Sequence, residues 1–258
     1  MAVSLPATLA PLGDGRMVSG RYSLGDGAAT TVYVAVHPIA TTELRVTVLR
    51  RPRPLAVWCM AQGVQEAIVG GFFVRPDGTP LGELRTRGVA RRHEPFTEPW
   101  DGVRACLQVQ GGAARIARRS ELAAEPRGDL LQAGPLLVRD GEPWFKRAAD
   151  TEGFAAASHQ FDSDITDGRH PRAALGLAPE HLVAVACDGR ARDDAGLALE
   201  ELARLLADIG CHTALNLDGG GSTSLISGGR LQNQPRAGVE RPVPGGRAVS
   251  TALVFVPR

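Results

Sequence analysis

Short runs of apolar and β-branched residues, many of them alternating, dominate the chain. Thr31-Val-Tyr-Val-Ala-Val36 and Leu44-Arg-Val-Thr-Val-Leu49 predict two strands. His37-Pro38 and Thr41-Thr42-Glu43 supply the turn between them. Residues 57–65 suit a short helix, and Ala67-Ile-Val69 reads as a buried strand ending in Gly70-Gly71. Residues 103–110 and 114–117 predict a hairpin around Gly111-Gly112, and Leu136-Leu-Val138 a strand followed by an Asp140-Gly141 turn. Residues 145–170 are polar and acidic with no clear period, which predicts a long loop of the kind that often carries function.

The last third has the clearest pattern. Residues 174–177, 182–186 and 214–217 predict strands, and 225–226 and 248–256 complete a sheet. Between them, residues 197–209 place Leu199, Leu202, Leu205, Leu206 and Ile209 on one helical face, with Gly210 suited to the C-terminal cap. A strand–helix–strand unit of this kind predicts that 182–186 and 214–217 are parallel neighbours joined by a right-handed crossover. The fold class expected is a single mixed α+β domain over residues 31–258, strand-rich, behind an N-terminal extension of residues 1–30.

Composition narrows the function classes. With 29 Lys plus Arg against 28 Asp plus Glu, the net charge is +1, so nothing favours a nucleic acid partner. No apolar run approaches the ~20 residues of a membrane span. Residues 1–9 lack the pattern of a secretory signal, which favours the cytoplasm unless the chain is a trimmed form of an exported one. Cys59, Cys106, Cys187 and Cys211 form no C-x-x-C pair and read as small buried hydrophobes. The histidines show no H-E-x-x-H spacing, and no G-x-S-x-G elbow is present, so zinc-hydrolase and α/β-hydrolase chemistries find no support.

The strongest local signal is Asn216-Leu-Asp-Gly-Gly-Gly-Ser-Thr-Ser224. A strand delivers Asn216 and Asp218 to its end, and Gly219, Gly220 and Gly221 leave room for a ligand against the backbone. Ser222 and Thr223 add hydroxyl donors. Asp188, followed by Gly189 and Arg190, closes a second strand in the same way, so both carboxylates are expected at one sheet edge. Arg172, just before a strand, has the fork geometry suited to a phosphate. The Phe72-Phe73 pair reads as core.

These motifs resemble the phosphodiester glycosidase family. Asn216 to Ser224 carries the resemblance, preceded by Asp188-Gly189-Arg190 and Gly196-Leu-Ala-Leu-Glu-Glu-Leu-Ala203. Further matches follow in order: Ala67-Ile-Val-Gly-Gly-Phe-Phe73 with Pro80-Leu-Gly82, Ala133-Gly-Pro-Leu-Leu137, Pro171-Arg-Ala-Ala-Leu-Gly176, Asn233-Gln-Pro235, and Arg241 ahead of Thr251-Ala-Leu-Val254. The resemblance implies hydrolysis of a sugar 1-phosphodiester to free sugar and a phosphomonoester. It implies Asp218, Asp188 and Arg172 as catalytic residues, with Arg241 as a helper on the phosphate. It implies Gly70, Gly71, Asn216, Asn233 and the 219–223 loop as substrate-binding residues. One position departs: Gly70 stands where the family usually carries asparagine, which removes an amide if that side chain meets substrate. No cofactor is required; a divalent cation between the carboxylates is compatible with the pattern, but no spacing demands one. The implied partner is a small sugar phosphodiester or glycan, and the oligomeric state stays open. Two other readings remain: a biosynthetic enzyme that transfers or rearranges the sugar, and a non-catalytic carbohydrate-binding module in the same cleft.

Overall fold

The computed structural model describes residues 10–12, 17–155 and 165–258. The expectations for residues 1–9 and for part of the long loop lie outside these. The central layer is an eight-stranded sheet. Its order is Ala10–Leu12, Met17–Ser23, Ala29–Pro38, His181–Cys187, Arg172–Leu177, Thr213–Asn216, Leu136–Arg139 and Glu142–Pro143, and every neighbouring pair is antiparallel. The sheet thus takes in strands from the segment ahead of residue 31.

Alternation along these strands feeds two apolar bodies. Val32, Val34, Val183, Val185, Ala174 and Ala214 face the helix Leu199–Ile209, which buries its Leu199, Leu202, Leu205, Leu206 and Ile209 against them. Tyr33, Ala35, Ala184, Ala186, Leu175 and Leu215 face the other way, into a larger core. That core is closed by two five-stranded sheets, which contribute Leu107 and Leu131 from one and Ile68 and Leu253 from the other. The helix ends where expected, with Gly210 at φ 98° donating to the Leu206 and Ala207 carbonyls. The 111–112 hairpin also forms, between Ala105–Gln110 and Ala113–Arg118. The predicted helix over 57–65 is observed slightly earlier, at Leu55–Gln62.

Three expectations are revised. First, the α-helices among the described residues are Leu55–Gln62, Trp100–Val103 and Leu199–Ile209, so the strand-rich domain is closer to β-rich than to the α+β class expected, without conflicting with it. Second, His181–Cys187 and Thr213–Asn216 do run parallel but are not neighbours. The connection through residues 178–180 is too short for anything but a hairpin, so Arg172–Leu177 pairs antiparallel with His181–Cys187. The helix then carries the chain across that hairpin, and Thr213–Asn216 joins the far side of Arg172–Leu177. Third, the 145–170 loop is partly interior. Glu152 and Phe154 are buried, and the Glu152 carboxylate accepts from the Ala105 and Leu136 N–H groups at 2.8 and 2.7 Å. Burial pushes that carboxyl up to about 7. Fully buried Arg104 lies between the Phe96 and Phe154 rings, at 4.2 and 4.1 Å from their centroids. The four cysteines are free and buried.

Candidate active site

Three strand ends meet at one edge of the eight-stranded sheet. The register pairs Arg172 with Cys187 and Ala174 with Asn216, so Asp188 lies just past one flank of Arg172 and Asp218 just past the other. Backbone bonds lock the junction. Leu217 N–H donates to the Ala173 carbonyl at 2.9 Å, Gly220 N–H to Pro171 at 2.8 Å, and Asp218 N–H to Gly70 at 3.0 Å. A cavity of about 390 Å³ opens there, walled by Asp218, Asn216, the 219–221 glycines, Arg172, Arg190 and Arg247. Phe72, Phe73, His170 and Arg75 line it as well.

Close approach at Gly219 and a positive φ at Gly220 favour glycine along this loop. A Cβ at Gly219 would sit 2.8 Å from the Pro171 oxygen. One at Gly220, where φ is +59°, would sit 3.0 Å from Arg190 Nη1, and one at Gly221 3.2 Å from Arg247 Nη2. The loop is therefore a bare backbone ridge with a guanidinium on each flank.

Asp218 is half-buried, and its Oδ1 accepts from the Gly219 N–H at 2.9 Å. Burial pushes its carboxyl up to about 6, against the pull of the Ser222 hydroxyl and the Arg247 charge. The Ser222 hydroxyl faces the carboxylate without the geometry of a hydrogen bond. Asn216 is 1% exposed, and its Nδ2 donates to the Gly134 carbonyl at 2.8 Å. That bond fixes the amide's orientation and leaves Oδ1 buried beside the cavity wall with no partner among the described residues. An orphaned buried acceptor of this kind suits a ligand O–H or N–H.

Arg172 is 4% exposed and lines the cavity, held by bonds to the Leu197, Ile165 and Gly168 carbonyls at 3.0, 2.8 and 3.2 Å. Asp188 lies outside the cavity wall. Its carboxylate accepts from the Tyr33 hydroxyl at 2.9 Å and the Gln234 N–H at 2.6 Å, and burial pushes it up to about 6. Through Gln234 it holds the segment whose Arg236 and Ala237 carbonyls accept from Arg190 Nη1 at 3.3 and 2.9 Å. Asn233 is also spent on backbone: it accepts from Leu225 N–H and donates to the Thr223 carbonyl, both at 2.9 Å. Ser222 and Thr223 are buried behind the ridge, and Arg241 is exposed on a short outer strand; none of these three lines the cavity.

Gly70 and Gly71 are buried behind Asp218. A Cβ at Gly70 would lie 2.4 Å from Thr251 Oγ1, and that hydroxyl accepts from Gly71 N–H at 3.0 Å. Thr251 thus fills the space an asparagine at position 70 would need.

Sequence reasoning missed Arg75, Arg247 and His170, and it quoted Arg190 only as part of a motif. They come from four separate segments, and no local pattern links them. Burial and the neighbouring Arg172 and Arg190 charges hold His170 down to about 4, so its imidazole is neutral at pH 7. Its Nδ1 takes the Arg190 Nε–H at 3.4 Å. Asp218 is the one carboxylate among the described lining residues, and no cluster of three His, Cys, Asp or Glu side chains is found among the described residues. A divalent cation does not fit that wall, because several arginines oppose it.

A family model for phosphodiester glycosidases matches residues 62–256. The chain belongs to the phosphodiester glycosidase family. Its fold is also that of the zebrafish N-acetylglucosamine-1-phosphodiester alpha-N-acetylglucosaminidase catalytic domain, auto-inhibited by pro-peptide. The TM-score is 0.71 at 20% identity, covering 100% of this chain and 87% of that one. A hypothetical protein from Synechocystis matches with a TM-score of 0.63 at 18% identity, covering 94% of this chain and 62% of the other. The SPbeta prophage-derived uncharacterized protein YomE of Bacillus subtilis (strain 168) is 29% identical over 150 residues, or 56% of this chain. That stretch spans 21% of YomE. The matched region of this phosphodiester glycosidase family member contains Asp218, the glycine ridge and every arginine of the cavity wall.

Proposed function

We propose that this protein hydrolyses a sugar 1-phosphodiester, releasing free sugar and a phosphomonoester. The observation that carries the reading is the pairing of one carboxylate, Asp218, with an arginine-rich wall in a single cavity. Phosphate is a good leaving group, so the chemistry needs a charge clamp and a base more than an acid. Arg172 and Arg247 hold the phosphate, and a preorganised cation stabilises the charge that grows on the departing oxygen. Asp218 takes a proton from water as the water oxygen bonds to the anomeric carbon. The C–O bond to phosphorus-bound oxygen breaks, and the phosphomonoester leaves with the electron pair. Asn216 Oδ1 accepts from a sugar hydroxyl or amide N–H. A covalent sugar–enzyme intermediate would need a second base to activate water. His170, held neutral with Nδ1 already engaged by Arg190, is poorly suited to that, so a single displacement with inversion is favoured.

The test is a panel of sugar 1-phosphodiesters assayed for phosphomonoester release, with mass analysis of both products. Asp218→Asn is expected to lower kcat by about 10²–10⁴-fold while the protein stays folded. Full activity in that variant would remove Asp218 from the reaction. A product in which the sugar has moved to an added acceptor would identify a transferase instead.

A further inference from the structure

The glycine ridge carries two guanidinium groups, and the reaction above employs the charge of one. Arg190 Nη1 lies beside Gly220 and Arg247 Nη2 beside Gly221, so both guanidinium groups border the ridge that follows Asp218. Arg190 is partly buried, and two of its nitrogens are engaged: Nε with His170 Nδ1, and Nη1 with the Ala237 and Arg236 carbonyls. Its Nη2 makes no hydrogen bond among the described residues and lies beside Gly220 at the cavity. The Arg247 guanidinium makes no hydrogen bond or ion pair among the described residues. Arg190 also holds a left-handed backbone, with φ 59°, a conformation that costs a non-glycine residue energy and clusters at functional sites. Two like charges placed together in a partly desolvated cavity, both with unused donors, call for more than one negative charge between them.

We propose that Arg190 receives a second anionic group, so that the preferred substrate is a sugar 1-phosphodiester whose aglycone carries a phosphate or carboxylate. This rests on the hydrolytic reading for its orientation. Asp218 acts at the sugar carbon and Arg247 meets the bridging phosphate, which leaves the aglycone to lie toward Arg190. The fork of Arg190 is fixed from behind by Asp188, through Gln234 and the 236–237 carbonyls, so the receptor is preorganised.

Binding tests the idea without turnover, so a failure of hydrolysis and a failure of this inference are separable. Calorimetry on the full chain would compare methylphosphonate with methylenediphosphonate and with phosphonoacetate, whose second anions are a phosphonate and a carboxylate. The expected result is that a probe with two anionic groups binds at least about tenfold more tightly than methylphosphonate, the scale of one charge-assisted hydrogen bond. The two doubly substituted probes tell which second group is preferred. The gap is expected to close in Arg190→Gln, to survive in part in Arg190→Lys, and to shrink in the unaltered protein as sodium chloride is raised. Equal affinity for all three probes, binding of none, or a gap that persists in Arg190→Gln would overturn the proposal. If the gap appears and no sugar phosphodiester is cleaved, the second-anion receptor stands and the hydrolase reading falls.

Discussion

In the proposed reaction, Asp218 serves catalysis at the expense of stability. Its folded-state carboxyl titrates at about 6, above its ordinary 3.8, so protonation favours the fold. That contribution is complete below about pH 4 and is lost as pH rises through about 6. Replacing the carboxylate with an amide is therefore expected to raise Tm by roughly 3 °C at pH 7.5, while the same comparison at pH 4.5 gives almost no difference. Paired thermal melts of the wild type and Asp218→Asn check this, and a Tm loss at pH 7.5 would contradict it. Gly70 makes a second residue-scale case. Thr251 occupies the space beside it, so Gly70→Asn is expected to lower unfolding free energy by ~1–3 kcal/mol in urea titrations. Gly70 does not line the cavity, so the family-like asparagine is not expected to improve catalysis. Polar side chains set the limit of sequence reading at this scale. Asp218 and Asn216 face the cavity, while Asp188 and Asn233, in equally suggestive motifs, spend their polar atoms largely on backbone groups. Residue type and spacing do not separate the two uses.

Among elements, those with a strong period were legible. The Leu199–Ile209 helix could be read from its apolar face and its glycine cap, and the 111–112 hairpin from its paired glycines. Sheet order was not, because the strand–helix–strand pattern is the same whether or not another strand lies between the two it joins. Arg172–Leu177 takes that place because a three-residue connection forces a hairpin. The helix holds this arrangement from one face. Leu206 is fully buried and approaches Gly176, where a Cβ would lie 3.3 Å from Leu206 Cδ2. Leu206→Ala is expected to cost ~2–5 kcal/mol in chemical denaturation, as large core truncations do. A loss under ~1 kcal/mol would show that the helix contributes little to clamping the sheet.

At the scale of the whole molecule, apolar alternation places one sheet between two cores and brings three chemically equipped strand ends to one edge. The Asp218 end of the site could be seen in the sequence, since carboxylate, amide and glycines are contiguous. Of the cationic half only Arg172 could, because Arg75, Arg190 and Arg247 join it only after the three sheets have packed. The 152–154 segment was hidden for a similar reason: a polar, acidic loop gives no sign that Glu152 satisfies two interior backbone N–H groups. In the proposed reaction water attacks the anomeric carbon of a phosphate-bound sugar, with Asp218 taking the proton. Hydrolysis of a sugar 1-phosphodiester in ¹⁸O-labelled water tests it most directly. The label is expected in the released sugar, with inverted anomeric configuration, and the phosphomonoester is expected to be unlabelled. Label in the phosphate would mean attack at phosphorus and would contradict it.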